Sequence, residues 1–184
     1  VYLHRTVVAS EQVLIQLLKR ARALVSRGEK LFATPALAYF FQERTRVSPE
    51  HFARLDDDDI LSSAKVWCNN SDIVLSMLSN GLVNRKLFSV ELSSQPFHAD
   101  RVTKIRDTVM ERLSLSPEET GYLVVSDSIS NYAYSDMDDR ITIMDKKGGT
   151  RDIAEASDIL NISVLSKTVR KYFLCYPRFI KEPY

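Results

Sequence analysis

The stretch NRKLFSVEL at residues 84–92 decides the fold, because the spacing of apolar residues changes there. Before this stretch, apolar residues recur every three or four positions, which is typical of helices with one buried face. Within it, apolar and polar residues alternate from Phe88 to Leu92, which predicts a half-buried strand. The sequence therefore predicts an α+β protein in which an all-helical part, residues 1–84, precedes an α+β lobe, residues 85–184.

Four helices with short connections are predicted in the helical part. Thr34-Pro35 opens the second of them, because threonine caps a helix and proline fits its first turn. Ser48-Pro49 is expected to open a further short turn in the same way. The predicted helices run from Val7 to a stop at Gly28, from Thr34 to Phe41, from Ile60, directly after the aspartates 56–59, to Cys68, and from a cap at Ser71-Asp72 through Ile73 to a stop at Asn80-Gly81.

For the α+β lobe, residues 85–184, the sequence predicts a ferredoxin-like antiparallel sheet with helices packed on one side. Lys147-Gly148-Gly149 has the composition of a hairpin turn and lies between two short strand patterns. The expected strands are 88–92, 122–126 with 132–134 as a continuation, 141–144, 150–153 and 171–176; the expected helices are 102–113 and 159–165.

Composition and charge exclude several classes of function. The chain has 184 residues and 45% apolar content, enough for an ordinary core, and its longest apolar runs are far too short to cross a membrane. A net charge of +1 gives no overall attraction to nucleic acid, so we expect neither a membrane nor a nucleic-acid partner. Cys68 and Cys175 lie in apolar patterns, which favours buried free thiols and a reducing, cytoplasmic location.

Four consecutive aspartates, residues 56–59, suggest either a metal site or a helix cap. Successive residues of a helix point about 100° apart, so four in a row cannot converge on one ion. We favour the cap, in which one aspartate begins the helix and the others meet its positive end, each contributing about 0.3–1 kcal/mol. The three histidines lie far apart in the sequence, so no histidine-rich metal site is expected in this chain.

The segment Tyr2-Leu3-His4-Arg5 leaves two interpretations open. His4 is either an ordinary packed or solvated histidine, or it binds a polar substrate together with the tyrosine while Arg5 pairs with a phosphate. Neither a catalytic triad nor a glycine-rich phosphate loop accompanies the segment. Because the chain opens directly on it, we expect the sequence to be cut from a longer protein.

Three segments together resemble the region that follows the catalytic core in HD-domain phosphohydrolases. They are Tyr2-Leu3-His4-Arg5 with the helix after it, Leu55-Asp56-Asp57-Asp58-Asp59-Ile60, and Asn84-Arg85-Lys86-Leu87-Phe88. The resemblance is to the bacterial group similar to deoxynucleoside triphosphate triphosphohydrolases and covers about the first half of the chain. It implies that residues 1–84 complete an HD-type domain.

In that family a divalent metal is bound by a His…His-Asp…Asp set, and no His-Asp pair occurs here. The resemblance therefore implies that the metal ligands lie upstream, with no catalytic residue and no metal ligand in this chain. It implies that Tyr2 and His4 bind the nucleotide substrate. It also implies that Arg5, Arg85 and Leu87 contact an activating nucleotide or a subunit interface.

Ser89 departs from the family pattern, which has a lysine there, and a neutral hydroxyl cannot make a charge-assisted phosphate contact. The implied function is metal-dependent hydrolysis of deoxynucleoside triphosphates by a homo-oligomer. The alternative is a non-catalytic regulatory or oligomerisation module, which binds a nucleotide or nothing where Arg5 and Arg85 meet.

Overall fold

A computed structural model of the chain describes residues 4–42, 47–131, 142–144, 148–152 and 169–181. These residues form helices and a three-stranded antiparallel sheet, which confirms the predicted α+β class. The helices are α1 (Arg5–Ser26), α2 (Pro35–Gln42), α3 (Pro49–Phe52), α4 (Asp57–Trp67), α5 (Ile73–Val83), α6 (Ala99–Leu113) and α7 (Pro117–Leu123). The strands are β1 (Ser89–Ser93), β2 (Val125–Asn131), β3 (Thr142–Met144), β4 (Thr150–Asp152) and β5 (Val169–Tyr176), and a 3₁₀ turn follows at Arg178–Ile180.

Short polar side chains set where several helices begin, as the sequence predicts. Asp56 accepts hydrogen bonds from the backbone N–H groups of Asp58 and Asp59, at 2.9 and 3.1 Å. Asp59 in turn accepts one from the backbone N–H of Asp56, which completes a capping box at the start of α4. Asp72 caps α5 and Ser48 caps α3. The aspartate run is therefore a helix cap, and the favoured interpretation is confirmed.

Helix α1 is the longest described helix, and it packs against both α5 and the edge strand β1. The position after its C-terminal cap is Gly28, with φ of 88°, in the left-handed region that favours glycine and where the sequence predicts the helix to stop. The buried face of α1 consists of Val8, Ala9, Val13, Gln16, Leu17, Arg20, Ala21 and Leu24. Because α1 touches helices and sheet alike, it places its first turn beside the start of β1.

Arg20 is the one charged residue on that buried face, with only 2% of its surface exposed. Its guanidinium donates to both carboxylate oxygens of Asp72, at 3.1 and 2.5 Å, and to Glu119 at 3.0 Å. It also lies 5.3 Å from the ring centroid of Tyr122. Asp72 caps α5 and Glu119 lies in the first turn of α7. We call Arg20, Asp72 and Glu119 the Arg20 clamp, because their contacts fix the starts of α5 and α7 against α1.

The charges of the Arg20 clamp are maintained in spite of burial. Burial lowers the pKa of Arg20, but hydrogen bonds and attraction to both carboxylates outweigh it, so its pKa lies above the usual value. Burial likewise opposes ionisation of Asp72, yet hydrogen bonds from Arg20 and the backbone N–H of Leu75 hold its pKa below the usual 3.8. Hydrogen bonds from Ser116 are the main cause of the lowered pKa of Glu119.

Strand β5 is the centre of the sheet, which has the order β1-β5-β2 and is antiparallel throughout. The Cα of Cys175 lies opposite Val90 on one side and Val125 on the other. Cys175 is buried, Cys68 is half-buried, and both are free thiols; burial raises the pKa of Cys175 to about 12. Strands β3 and β4 pair antiparallel, as the predicted hairpin requires. The predicted helix at 159–165 and the continuation at 132–134 lie outside the described residues.

Two predicted boundaries are wrong. Tyr122 and Leu123 belong to helix α7, because Ser116 and Glu119 form a capping box around Pro117 and start a helix there. Helix α5 continues past Asn80-Gly81 to Val83, because a Cβ at position 81 would lie 3.4 Å from Val13 and the glycine serves close helix packing. None of the described helices is long and apolar enough to cross a membrane.

One hydrophobic core includes residues from both predicted parts of the chain, from Val8 in α1 to Tyr176 in β5. Phe88 and Val90, at the start of the sheet, are buried members of this core. The division at residue 84 coincides with the end of α5, and the assignment of the two parts as separate domains stays a prediction.

Candidate functional site

A small polar cavity lies where the first turn of α1, the start of β1 and the 3₁₀ turn meet. Its volume is about 250 Å³. The residues that line it are Arg5, Thr6, Ala9, Leu87, Phe88, Ser89, Val90, Arg178 and Lys181. We call it the basic cavity, because three of the described residues that line it carry a positive charge and none of them carries a negative one.

The position of Arg5 at this cavity follows from how α1 begins. His4 is exposed and has extended backbone angles, and its Nδ1 accepts a hydrogen bond of 3.2 Å from the backbone N–H of Thr6. His4 is therefore the N-cap, and Arg5 is the first helical residue. No acidic residue lies in the first turn of this 22-residue helix, so its positive end is uncompensated.

The two other cations come from the 3₁₀ turn that follows the central strand. Pro177 precedes this turn and is its N-cap, and Arg178 is its first residue. Lys181 follows the turn, and its Nζ lies 5.9 Å from the ring centroid of Tyr176. The hydroxyl of Tyr176 donates to Glu91, and Glu91 also accepts from Arg101 at 2.7 and 2.9 Å. Strand β5 thus delivers two positive charges to the end of the sheet at which α1 begins.

Arg5, Arg178 and Lys181 are exposed residues. Within the described part of the chain, none of the three forms an ion pair with a carboxylate. The floor of the cavity is apolar and buried, since Ala9, Phe88 and Val90 are at least nine-tenths covered. An apolar floor lowers the local dielectric and strengthens the attraction of the cations for an anion.

A larger cleft of about 530 Å³ adjoins the basic cavity and shares Phe88 and Arg178 with it. Its lining is mixed: Met77 and Phe179 are apolar, while Arg85, Lys86 and the shared Arg178 are positively charged. The other residues that line the cleft are Ser76, Asn80, Gly81 and Pro177. Cavity and cleft are therefore both cationic, and the cleft adds apolar surface, which suits an anion attached to an apolar or planar group.

Arg85 has a strained backbone. Its φ is 54°, in the left-handed region, where a residue with a Cβ costs roughly 1–2 kcal/mol. The residue that follows a helix C-cap in this conformation is usually glycine or asparagine. A long basic side chain at this position is therefore not explained by the backbone, and such strain is often found at functional sites.

A further cavity of about 530 Å³ lies beside α2, α3 and α4 and has a different character. Its rings of Tyr39 and His51 are stacked with centroids 3.8 Å apart. Its charged side chains, Arg54 and Asp59, are one of each sign. Arg54 and Asp59 therefore give this cavity no net charge among its described residues with which to select an anion.

The predicted site residues are brought together in part. Arg5 and Leu87 line the basic cavity, and Arg85 lines the adjoining cleft. His4 lies at the start of α1, where its Nδ1 must be the hydrogen-bond acceptor, so Nε2 carries the ring proton and remains a donor. Tyr2 lies outside the described residues. The roles assigned to these five residues stay predictions.

Sequence reasoning missed Arg178 and Lys181. Their only signal is the pattern Pro177-Arg178-Phe179-Ile180-Lys181, in which two cations lie three positions apart just after a strand. Ser89, where the family resemblance expects a lysine, lines the same cavity as these two cations.

The described residues contain no group of three or more His, Cys, Asp or Glu side chains that could hold a metal ion. The described side chains therefore do not fit a divalent metal centre, and no chemical step through a metal follows from them.

Comparison with known proteins relates the chain to a phosphohydrolase. The crystal structure of a phosphohydrolase from Bacteroides thetaiotaomicron VPI-5482 is 45% identical in sequence, with a TM-score of 0.78 over 96% of this chain and 46% of that one. Similarity at this level over nearly the whole chain shows that it has the fold of part of that phosphohydrolase. No family model matches the chain.

A second relative is the uncharacterized protein YwfO of Bacillus subtilis strain 168. It is 26% identical over 189 residues, which cover 97% of this chain and 41% of YwfO. The chain therefore spans a little less than half the length of either of these two relatives.

Proposed function

We propose that the chain is part of an HD-family phosphohydrolase that acts on deoxynucleoside triphosphates. The observation that carries the proposal is the 45% identity to a phosphohydrolase over nearly the whole chain. The resemblance of the Tyr2–Arg5, 55–60 and 84–88 segments to HD-domain enzymes supplies the family and the substrate class.

In this proposal the catalytic metal is bound by residues of the longer protein that lie upstream of this chain. This chain supplies substrate-binding groups instead. The Nε2–H of His4 is a donor suited to a polar substrate atom, and Tyr2 is its proposed partner. Such contacts position the substrate, and precise positioning alone accounts for a large share of an enzyme's rate enhancement.

Arg5, Arg85 and Leu87 are the proposed contacts to an activating nucleotide or to another subunit of a homo-oligomer. The basic cavity supports this, because hydrolysis substrates and nucleotide effectors both present phosphates, which a cluster of cations attracts. Size-exclusion chromatography with light scattering measures the molar mass of the full protein, with and without deoxynucleoside triphosphates, and so tests whether it forms a homo-oligomer. A monomer under both conditions contradicts the proposed homo-oligomer.

The alternative function is a non-catalytic regulatory or oligomerisation module that binds a nucleotide. It is favoured by one observation: the described residues that line the basic cavity include three cations but no carboxylate, imidazole or thiol group that could act as an acid, base or nucleophile. Binding without turnover is what such a lining provides by itself.

An activity assay of the full protein decides between the two. The protein is incubated with each deoxynucleoside triphosphate and Mg²⁺ or Mn²⁺, and the release of tripolyphosphate and of phosphate is followed. We expect tripolyphosphate release that a chelator abolishes, and a lower rate for Tyr2→Phe. Nucleotide binding with no hydrolysis under any of these conditions overturns the enzyme proposal in favour of the alternative.

A further inference from the structure

The cavity beside α2, α3 and α4 has no part in the function proposed above, yet the elements that form it carry much of the exposed apolar surface. We call it the Tyr39 cavity; the described residues that line it are Pro35, Ala36, Ala38, Tyr39, Gln42, His51, Arg54 and Asp59. Nine large apolar residues are exposed among the described ones, and five of them lie between residues 32 and 67: Phe32, Val47, Phe52, Leu61 and Val66. Exposed apolar side chains that are concentrated in one region mark an interaction surface, whereas scattered ones do not.

Phe52 and the Tyr39 cavity have complementary shapes. Phe52 ends α3 between His51 and Arg54, which both line the cavity, but it is itself 68% exposed and does not line it. The volume of about 530 Å³ is in the range of roughly 300–1,000 Å³ that accommodates small organic groups, so a phenyl ring fits. The stacked rings of Tyr39 and His51 offer it an aromatic contact. A second copy of this chain therefore carries both a ring to insert and a cavity to receive one.

The charges of the Tyr39 cavity are also complementary to themselves. Arg54 and Asp59 both line it, but they form no ion pair with each other, and Arg54 forms none with any other carboxylate of the described residues. Hydrogen bonds from the Thr34 side chain and the Asp56 backbone hold the pKa of Asp59 below its usual 3.8, so this carboxylate is ionised at neutral pH. A two-fold axis brings each member of such a pair opposite the other member on the second copy.

We propose that the Tyr39 cavity and Phe52 form a two-fold interface between copies of this chain. Phe52 of each copy enters the cavity of the other, and Arg54 of each copy pairs with Asp59 of the other. The inference rests on the homo-oligomer proposed above and assigns it a surface separate from the basic cavity. The aromatic residues and the arginine of this surface belong to the types that are enriched at the centres of protein interfaces.

Sedimentation equilibrium of the full protein, which gives the dissociation constant of its assembly, tests the interface. A buried aromatic anchor contributes about thirtyfold or more in affinity, and Phe52→Ala removes it from both copies, so we expect assembly at least about 100-fold weaker. The control is Met144→Ala, at a residue that is 72% exposed and outside the 32–67 region, and it should assemble as wild type. An unchanged constant for Phe52→Ala overturns this interface and leaves the homo-oligomer to another surface. A wild-type monomer at every concentration overturns both.

Exchanged charges distinguish direct pairing from damage to the fold. Arg54→Glu sets two carboxylates opposite each other and Asp59→Lys sets two cations opposite each other, so each variant alone should assemble at least about tenfold more weakly. Asp56 still caps α4 in Asp59→Lys, because it accepts from backbone N–H groups. Mixing the two variants restores an attractive pair at both contacts, so they should assemble with each other in preference to themselves. Native mass spectrometry measures this preference.

The control for the exchange is Arg106→Glu, which makes the same change of charge at an exposed position of α6 and should assemble as wild type. A mixture of the two variants that assembles no better than either alone overturns the pairing of Arg54 with Asp59.

The activity assay separates this inference from the proposed enzyme function. A protein that assembles through Phe52 but hydrolyses no deoxynucleoside triphosphate loses the enzyme function and keeps the interface. A protein that hydrolyses them, and whose assembly is insensitive to Phe52→Ala, keeps the function and loses the interface.

Discussion

The Arg20 clamp and the basic cavity both contain arginine, and they differ in what neutralises it. Arg20 is buried and binds two carboxylates that begin neighbouring helices. Arg5 and Arg178 are exposed, and neither forms an ion pair with a carboxylate of the described residues. The first arrangement stabilises the fold, because a buried charge must be paired there. The second has unsatisfied charge that a ligand can use.

This difference predicts which substitutions affect stability and which affect binding. The largest effect on stability is expected from Asp72→Asn. Asparagine caps a helix as well as aspartate does, so the change leaves the start of α5 intact but takes a charge from the buried Arg20. Breaking a buried ion pair in this way costs about 3 kcal/mol of the free energy of unfolding, measured by urea denaturation.

The matched control for that experiment is Asp56→Asn, since Asp56 caps α4 in the same manner but is exposed and forms no ion pair with an arginine of the described residues. We expect a change of less than about 0.5 kcal/mol. Similar losses for both variants would show that capping rather than the Arg20 clamp determines the effect.

Acid should weaken the Arg20 clamp selectively. The folded pKa of Asp72 lies below its usual value of 3.8, so its contribution is complete above pH 3.8 and is lost as the pH falls through the folded pKa. Asp72→Asn has no carboxylate to protonate at this position. The gap in the free energy of unfolding between wild type and Asp72→Asn should therefore narrow below pH 3.8, and a constant gap down to pH 2 contradicts the pairing.

An intermediate effect on stability is expected at the start of α7. Ser116 accepts from the backbone N–H of Glu119 and donates to its carboxylate, which in turn contacts Arg20. Ser116→Ala should lower the free energy of unfolding by about 1 kcal/mol. Ser62→Ala, at an exposed position within α4, is the control and should change it by less than about 0.5 kcal/mol.

The smallest effect on stability is expected in the basic cavity. Arg178→Ala/Lys181→Ala removes exposed charges that have no carboxylate partner in the described part of the chain, so the free energy of unfolding should change by less than about 0.5 kcal/mol without ligand. A loss of 2 kcal/mol or more in the same urea titration would place these residues with the Arg20 clamp, as structural ones.

The features that the sequence predicted correctly are local ones, and those that it missed depend on contacts between residues far apart in the chain. Caps such as Asp56 and Asp72 act within four residues, so the starts of α4 and α5 were predicted correctly. The start of α7 was equally readable from Ser116-Pro117 with Glu119, but the apolar run at residues 122–126 drew the prediction towards a strand.

The Arg20 clamp and the basic cavity could not be predicted from the sequence, because each joins residues that are far apart in it. Arg20 meets Asp72 and Glu119 from 52 and 99 residues away, and no local pattern records such a contact. Arg178 and Lys181 meet Arg5 only because β5 lies beside β1 in the sheet. Strand order is a tertiary property, so composition and spacing predicted the sheet without predicting which charges its end would gather.

The most direct test of this account is the shift of the thermal unfolding midpoint on adding tripolyphosphate to three forms of the full protein. Tripolyphosphate should raise the midpoint of wild type and of Asp72→Asn by similar amounts, because a ligand stabilises a protein according to its affinity for the folded state. Asp72→Asn should start from a lower midpoint. Arg178→Ala/Lys181→Ala should start near wild type and gain almost nothing. An unchanged gain in the double variant, or its loss in Asp72→Asn, would contradict the division between a structural clamp and a ligand cavity.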